Sequence, residues 1–153
     1  HDALPISPTI RVRRIGEHTL PVPARATELA AGYDLRNAGQ GVTLYPGHAN
    51  RLWLPAGFAF AIPPGYEGHV RPRSGLAFNH GVVLFIDGTI DGDYRGEVRV
   101  GLVNHSSAPF RIEHGDRIAQ MVVTRVLLGD MAIVDDLDET TRGAGGFGST
   151  GVK

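Results

Sequence analysis

The chain has 153 residues, about the length of one domain, and its 42% apolar and 20% charged residues are typical of a globular protein. A net charge of -1 gives no broad basic surface, so nucleic acid is not an expected partner. No apolar run approaches the roughly 18 residues that a membrane span needs, so no membrane association is expected. Cysteine is absent, which excludes disulfides, thiolate metal sites and cysteine nucleophiles. This absence fits a reducing compartment, and we expect a cytoplasmic location.

Short β-prone runs, separated by turns that contain glycine and proline, follow one another along most of the chain. They predict strands over residues 10–14, 42–45, 51–54, 58–62, 66–71, 82–86, 97–104, 110–112 and 117–126. In the run 97–104, Val98, Val100 and Leu102 alternate with Arg99 and Gly101, which is the period of a half-buried strand. Many short strands at this spacing predict an all-β, single-domain jelly roll or β-clip-like barrel.

Helix signals are scarce, with weak candidates only at 24–31 and 131–141. We expect residues 1–9 to be disordered or to lie outside the fold, and residues 10–141 to form one β domain. Residues 142–153 change character, because half of the positions from 142 to 151 are glycine. Such a segment buries no apolar face of its own, so it predicts a flexible C-terminal arm.

Three regions have residue types suited to chemistry. A turn around Asp91 is expected to join the strands 82–86 and 97–104; it is either an ordinary Asp-Gly turn or a site with a carboxylate base beside the flat ring of Tyr94. The arginines and serine of 71–75 form either a solvated basic turn or a phosphate cradle. Gln120 lies in an apolar strand and needs a hydrogen-bond partner, either a ligand phosphate or a backbone group.

Other polar and aromatic residues carry less information. The seven histidines are scattered without metal-ligand spacing, so they are expected at the surface or in packing roles. Trp53 is expected in the core. The arm, with Arg142 and a serine and threonine among glycines, has the composition of a phosphate cradle but equally that of a linker.

Taken in order, five segments resemble the motifs of the homotrimeric dUTPase family, the deoxyuridine triphosphate nucleotidohydrolases. They are AGYDL at 31–35, PRSGLA at 72–77, GTIDGDYRGEV at 88–98, GDRIAQM at 115–121 and RGAGGFGSTG at 142–151. The resemblance covers nearly the whole chain from about residue 10. It implies Mg²⁺-dependent hydrolysis of dUTP to dUMP and pyrophosphate, by a homotrimer with shared active sites over which the arm closes.

The resemblance also implies roles for individual residues. Asp91 corresponds to the catalytic carboxylate that deprotonates the attacking water, and Gln120 to an amide that positions the phosphates. Asp34 corresponds to the acid that holds Mg²⁺ through water. Tyr94 matches the ring that packs on the deoxyribose and excludes a 2′-hydroxyl, and Phe147 the ring that covers uracil. The other substrate-binding residues implied are Arg73, Ser74, Gly75, Gly88, Thr89, Ile90, Arg142, Gly148, Ser149 and Thr150.

The sequence departs from the family in the hairpin before Asp91, where residues 82–88 are shorter by about one residue and one side chain differs, and it leaves two alternatives open. Phe85 stands where many bacterial members have an asparagine that contacts uracil, which leaves base reading to the hairpin backbone. A dCTP deaminase shares the expected fold, but its turn typically reads Ile-Asp-Pro-Gly-Phe, whereas Asp91 is followed here by Gly-Asp-Tyr. An inactive jelly-roll interaction protein would not need the acids, tyrosine, glutamine and arginine that this chain retains.

Overall fold

The computed structural model describes residues 7–152, and ten β-strands make up most of its regular structure. The strands are β1 (Arg11–Arg14), β2 (Gly32–Arg36), β3 (Val42–Leu44), β4 (Leu52–Ala61), β5 (Tyr66–Arg71), β6 (Val82–Leu84), β7 (Gly88–Ile90), β8 (Glu97–Asn104), β9 (Phe110–Ile112) and β10 (Arg117–Arg125). One α-helix, α1 (Ser74–His80), follows β5, and a 3₁₀ turn spans His48–Asn50. Within residues 7–152, no helix has the length and apolar character to cross a membrane. The prediction for residues 1–9 falls largely outside the described residues.

Two antiparallel four-stranded sheets form the body of the domain. Their strand orders are β1-β4-β8-β6 and β2-β10-β5-β7, and β3 pairs separately with β9. Apolar side chains from both sheets make one buried cluster, to which β4 contributes Phe60, β8 contributes Val100 and Leu102, and β10 contributes Met121. The predicted all-β jelly-roll class is confirmed.

The predicted elements differ from the structure where the chain forms short or irregular pieces. The predicted strands 51–54 and 58–62 are one strand, β4, whose pairing with β8 shifts register between Pro55 and Ala59. Neither helix candidate is helical. Helix α1 begins within the segment 71–75, for which either a basic turn or a phosphate cradle was expected, and it ends at Gly81 in the left-handed conformation. Its seven residues are too few for a helical hydrophobic period to stand out.

The connection from β6 to β8 is the feature that positions the site. These strands do pair with each other, as Val82 with Asn104 and Leu84 with Leu102. They are not joined by the simple hairpin that the sequence predicted. The chain between them crosses to the other sheet, where β7 pairs with β5 through the Gly68–Ile90 partnership. Residue 91 therefore follows a strand of the second sheet.

A buried asparagine ties the end of β8 to the neighbouring loops. The Asn104 side-chain Nδ2 donates to the carbonyls of Leu44 (3.0 Å) and Ala108 (2.8 Å), and Oδ1 accepts from the Ser106 N–H (2.9 Å). Because both ends of the amide are satisfied, this polar group is buried without leaving an unpaired donor or acceptor.

We expect Asn104→Ala to lower the free energy of unfolding by about 1–3 kcal/mol, because two carbonyls and an N–H lose their partner. Urea unfolding would measure this difference. Asn50→Ala is the matched control, since Asn50 also donates to a carbonyl, that of Pro46, but is exposed. Equal losses for the two variants would contradict the structural importance of the buried amide.

Candidate active site

One group of predicted site residues lies in a row across the second sheet. Asp34 on β2 is the direct cross-strand partner of Gln120 on β10, and Gln120 is in turn opposite Arg71 on β5. Directly opposed residues in an antiparallel sheet hold their Cβ atoms about 5 Å apart. The register of β10 therefore brings an acid, an amide and an arginine together from three distant parts of the sequence.

Two arginines face the single carboxylate of Asp34. Its Oδ1 lies 3.7 Å from Arg73 Nε, and its Oδ2 lies 3.7 Å from Arg117 Nη1. Both distances exceed hydrogen-bond length, so neither guanidinium group donates a hydrogen bond to the carboxylate. The group has more positive than negative charge and suits an anion such as phosphate. Arg117 was not predicted, although it lies in the quoted segment 115–121.

The half-buried side chain of Gln120 is hydrogen-bonded to the backbone. Its side-chain Nε2 donates to the carbonyl of Pro72 at 3.0 Å, so a backbone group is the partner, as one of the two sequence-based alternatives held. Its Oε1 faces Gly32, where any Cβ atom would collide with the amide. Gly32, in the segment 31–35, leaves the space that this amide occupies, and it was not among the predicted site residues.

The amide of Gln120 thereby holds the turn that leads into α1. Arg73 is the N-cap of this helix, and Ser74 is its first residue. The first N–H groups of a helix have no partner within the helix, so they are open to an outside acceptor. Nothing lies within 4 Å of the space beside Gly75, so the backbone there is accessible. The predicted residues Arg73, Ser74 and Gly75 thus follow the end of β5, where Arg73 lies beside Asp34.

A second group of predicted residues surrounds a cavity of about 420 Å³. The cavity opens where β7 leaves β6 for the other sheet. Its lining includes Gly88–Ile90 and Val98 of β8. Asp91 and Tyr94 are both at this cavity, and Asp91 is exposed. Apolar walls with a carboxylate and a phenol ring nearby are typical of a small-molecule site.

The ring of Tyr94 is fixed in place beside Asp91. Its hydroxyl donates to the carbonyl of Glu97 at 2.9 Å, and its backbone N–H donates to the carbonyl of Asp91 at 3.1 Å. The ring lies against Gly96, where a Cβ atom would collide with it. The turn after β7 therefore presents a rigid aromatic face at the cavity.

Trp53 also lines this cavity, which corrects the expectation that it lies in the core. Its side chain is 53% exposed, and it lies opposite Gly101 in the β4–β8 pairing. The sequence held a signal for this position. Leu52 and Leu54 flank Trp53, and in a strand with one buried face a residue between two inward leucines points outward.

The arm residues stay apart from both groups. Arg142 Nε donates to the carbonyl of Gly145 at 2.7 Å, and the Ser149 N–H donates to the carbonyl of Gly146 at 3.0 Å. Phe147 is fully exposed and has a positive φ of 50°. Exposed with it are the other predicted arm residues, Gly148, Ser149 and Thr150. The described hydrogen bonds of residues 142–151 are all local.

The two groups do not meet within one copy of the chain. Gln120 is opposite Arg71 in β5, whereas Ile90, the residue before Asp91, is opposite Gly68 in the same strand. This offset, together with the width of two strands, puts Asp91 on the order of 15 Å from Gln120. Within a single chain, the Asp91 carboxylate is thus separate from the group of residues around Asp34 and Gln120.

A family model described as dUTPase matches residues 18–151. The chain belongs to the dUTPase family. A deoxyuridine 5'-triphosphate nucleotidohydrolase of Anaeromyxobacter sp. (strain Fw109-5) is 53% identical over 146 residues, covering 94% of this chain and 97% of the relative. One from Rhizobium rhizogenes (strain K84 / ATCC BAA-868) is 49% identical over 150 residues, covering 95% of each. These relatives favour a hydrolase over the deaminase alternative.

Solved dUTPase structures share the fold. Staphylococcus bacteriophage 80alpha dUTPase with dUPNHPP has a TM-score of 0.84 and 26% identity, covering 95% of this chain and 100% of that chain. A mutant dUTPase from phage phi11 of S. aureus, described with a structural Mg(II) ion, has a TM-score of 0.74 and 25% identity, covering 84% and 97%. The enzyme class of this chain is therefore that of the dUTPase hydrolases.

Proposed function

We propose that this chain hydrolyses dUTP to dUMP and pyrophosphate with Mg²⁺, which keeps uracil out of DNA and supplies dUMP for dTMP synthesis. The observation that carries the proposal is the cavity at which Asp91 and the fixed ring of Tyr94 lie together. Its size is within the range of about 300–1,000 Å³ that is usual for small-molecule sites. The cytoplasm remains the proposed location.

In this proposal Asp91 is the general base. Its carboxylate accepts a proton from a water molecule as the water oxygen attacks the α-phosphorus. The bond from the α-phosphorus to the bridging oxygen breaks, and pyrophosphate leaves in line with the attack. The exposed position of Asp91, with no ion-pair partner among residues 7–152, supports this role because the carboxylate is available to water.

The cavity accounts for the choice of nucleoside. Tyr94 packs against the deoxyribose, and a ring that cannot retreat leaves no room for a 2′-hydroxyl. The hydrogen bond from its hydroxyl to the Glu97 carbonyl supports this role, because it restrains the ring. The backbone of Gly88–Ile90 reads the edge of uracil, and Phe147 of the arm covers the base.

The phosphates bind at the group around Asp34. Arg73 and the backbone of Ser74 and Gly75 contact them, with Gln120 positioning the chain through the Pro72 carbonyl. One carboxylate against two guanidinium groups leaves a local positive charge, which attracts a polyphosphate. On closure, the arm adds its own phosphate contacts through Arg142, Gly148, Ser149 and Thr150.

The same group fits a magnesium ion held mainly by the substrate. Among the described residues, no cluster of three histidine or acidic side chains could hold a metal by itself. Magnesium keeps several waters and takes ligands from substrate phosphates, so one acid, Asp34, suffices to hold it through water. When bound, the ion neutralises charge that develops on the phosphates.

We further propose a homotrimer in which each site draws on more than one copy. The separation of Asp91 from Gln120 and the detached arm both support shared sites. A third support is the segment 127–137, which follows β10 without helix or strand. Its apolar side chains Leu127, Leu128, Met131, Ile133 and Leu137 are almost fully exposed. Burial against a neighbouring copy would remove this apolar surface from water.

A parallel assay of dUTP, UTP, dTTP and dCTP with Mg²⁺ tests the proposed function. We expect pyrophosphate from dUTP and at most traces from the other three, because Tyr94 blocks ribose and the cavity selects the base. Ammonia is assayed in the dCTP reaction. Ammonia there, or the absence of pyrophosphate from dUTP, would contradict the proposal.

Asp91→Asn should lower kcat about 10²–10⁴-fold, because the variant loses the general base, while the fold and dUTP binding persist. Asp93→Asn is the matched control, since Asp93 is an exposed carboxylate two residues away that does not line the cavity. Steady-state pyrophosphate release would measure both variants. An Asp91→Asn enzyme with near wild-type turnover would remove Asp91 from the role of base.

A further inference from the structure

Phe85 lies behind the wall of the cavity that contains Asp91. Its neighbours Leu84 and Ile86 both line the cavity, whereas Phe85 does not. The chain bends at residues 85 and 86, directly after β6, and leaves the ring of Phe85 outside the lining. The ring therefore belongs to the layer next to the wall.

The ring of Phe85 rests on two residues that do line the cavity. Its centroid lies 5.0 Å from that of Trp53, with an angle of 76° between the ring planes, which is an edge-to-face contact. On β8 it packs directly against the backbone of Gly101, where a Cβ atom would lie 2.6 Å from Cε1 of the ring. The Phe85 backbone N–H also donates to the carbonyl of Gly101 at 3.1 Å.

Two further groups lie around the ring of Phe85. The guanidinium carbon of Arg51 is 5.6 Å from its centroid, within cation–π range. The ring of His48 is 6.4 Å away in an edge-to-face arrangement. Together with Trp53 and Gly101, these contacts give the half-buried ring a defined place against the sheet.

We propose that Phe85 is a positioning residue for base selection: it holds Trp53 and the chain 84–88 at a fixed separation and so sets the width of the cavity. This inference rests on the proposed dUTP hydrolysis and deepens it. Phe85 touches no substrate in this account. It acts through Trp53, which lines the cavity and also contacts the ring of Phe85.

The consequence concerns the methyl group that distinguishes thymine from uracil. Apolar pockets discriminate substrates that differ by one methyl-sized group by about 10–200-fold in kcat/KM. This discrimination requires rigid pocket walls. Without the ring of Phe85, Trp53 loses its support and the space beside Gly101 is empty. The cavity can then widen to accept the extra methyl.

Phe85→Ala tests the inference by steady-state kinetics. We expect KM for dUTP to rise about tenfold with kcat within about twofold, since Asp91 and Tyr94 are untouched. The ratio of kcat/KM for dUTP over dTTP should fall by about tenfold. Phe85→Leu should restore part of both values. Tyr45→Ala, which removes an exposed aromatic ring that does not line the cavity, is the matched control and should change neither.

Binding can be followed separately from turnover, because Trp53 is the single tryptophan of the chain. Titration of wild-type protein with dUMP should change its intrinsic fluorescence, and Phe85→Ala should weaken the measured dUMP affinity. A double-mutant cycle adds Gly101→Ala to both backgrounds. We expect Gly101→Ala to weaken dUMP binding more when Phe85 is present than when alanine replaces it, because only the ring collides with the new methyl group.

The outcomes separate this inference from the proposed function. A wild-type protein that releases no pyrophosphate from dUTP would overturn the proposed hydrolysis, and with it this role. An active wild-type protein whose Phe85→Ala variant keeps its KM, base ratio and dUMP affinity, even with a lower melting temperature, would overturn the role of Phe85 alone. Additive effects in the double-mutant cycle would also overturn it.

Discussion

The simultaneous pairing of β10 with β2 and β5 is the constraint on which the group of residues around Asp34 depends. One register places Gln120 opposite Asp34 on β2 and opposite Arg71 on β5. A slip of one residue would turn Gln120 into the apolar core and bring Met121 to the face that Asp34 occupies. The buried neighbours of Gln120 in β10 oppose such a slip, because it would expose their side chains. Core packing thus fixes the geometry of charged residues that contribute little to stability themselves.

The crossing of β7 to the second sheet is the other determinant of the site. Residues of both sheets line the cavity, and the turn after β7 puts Asp91 and Tyr94 at it. The same crossing leaves Asp91 far along β5 from Gln120. The proposed sharing of each site between copies would account for both this separation and the exposed apolar segment 127–137.

Sequence reasoning predicted most strands because hydrophobic alternation is a local property. It predicted β5, β8 and β9 with the bounds observed, and its strands did not include β2 or the short β7. The motif segments indicated Asp91 and Tyr94 correctly as neighbours, since they lie on one turn. The exposure of Trp53 was missed although the flanking leucines of β4 indicated it. The contribution of Arg117 was missed because it depends on pairing between distant strands, and so does the separation of the two groups.

The claim that each active site is shared between copies is tested most directly by combining two variants. Chains carrying Asp91→Asn and chains carrying Arg73→Ala would be co-expressed with different tags, and mixed assemblies purified through both tags. Each variant alone is expected to be nearly inactive. If a site takes Asp91 from one copy and Arg73 from another, each mixed trimer regains one intact site, or about one third of wild-type activity. Mixed trimers no more active than their parents would contradict the shared site.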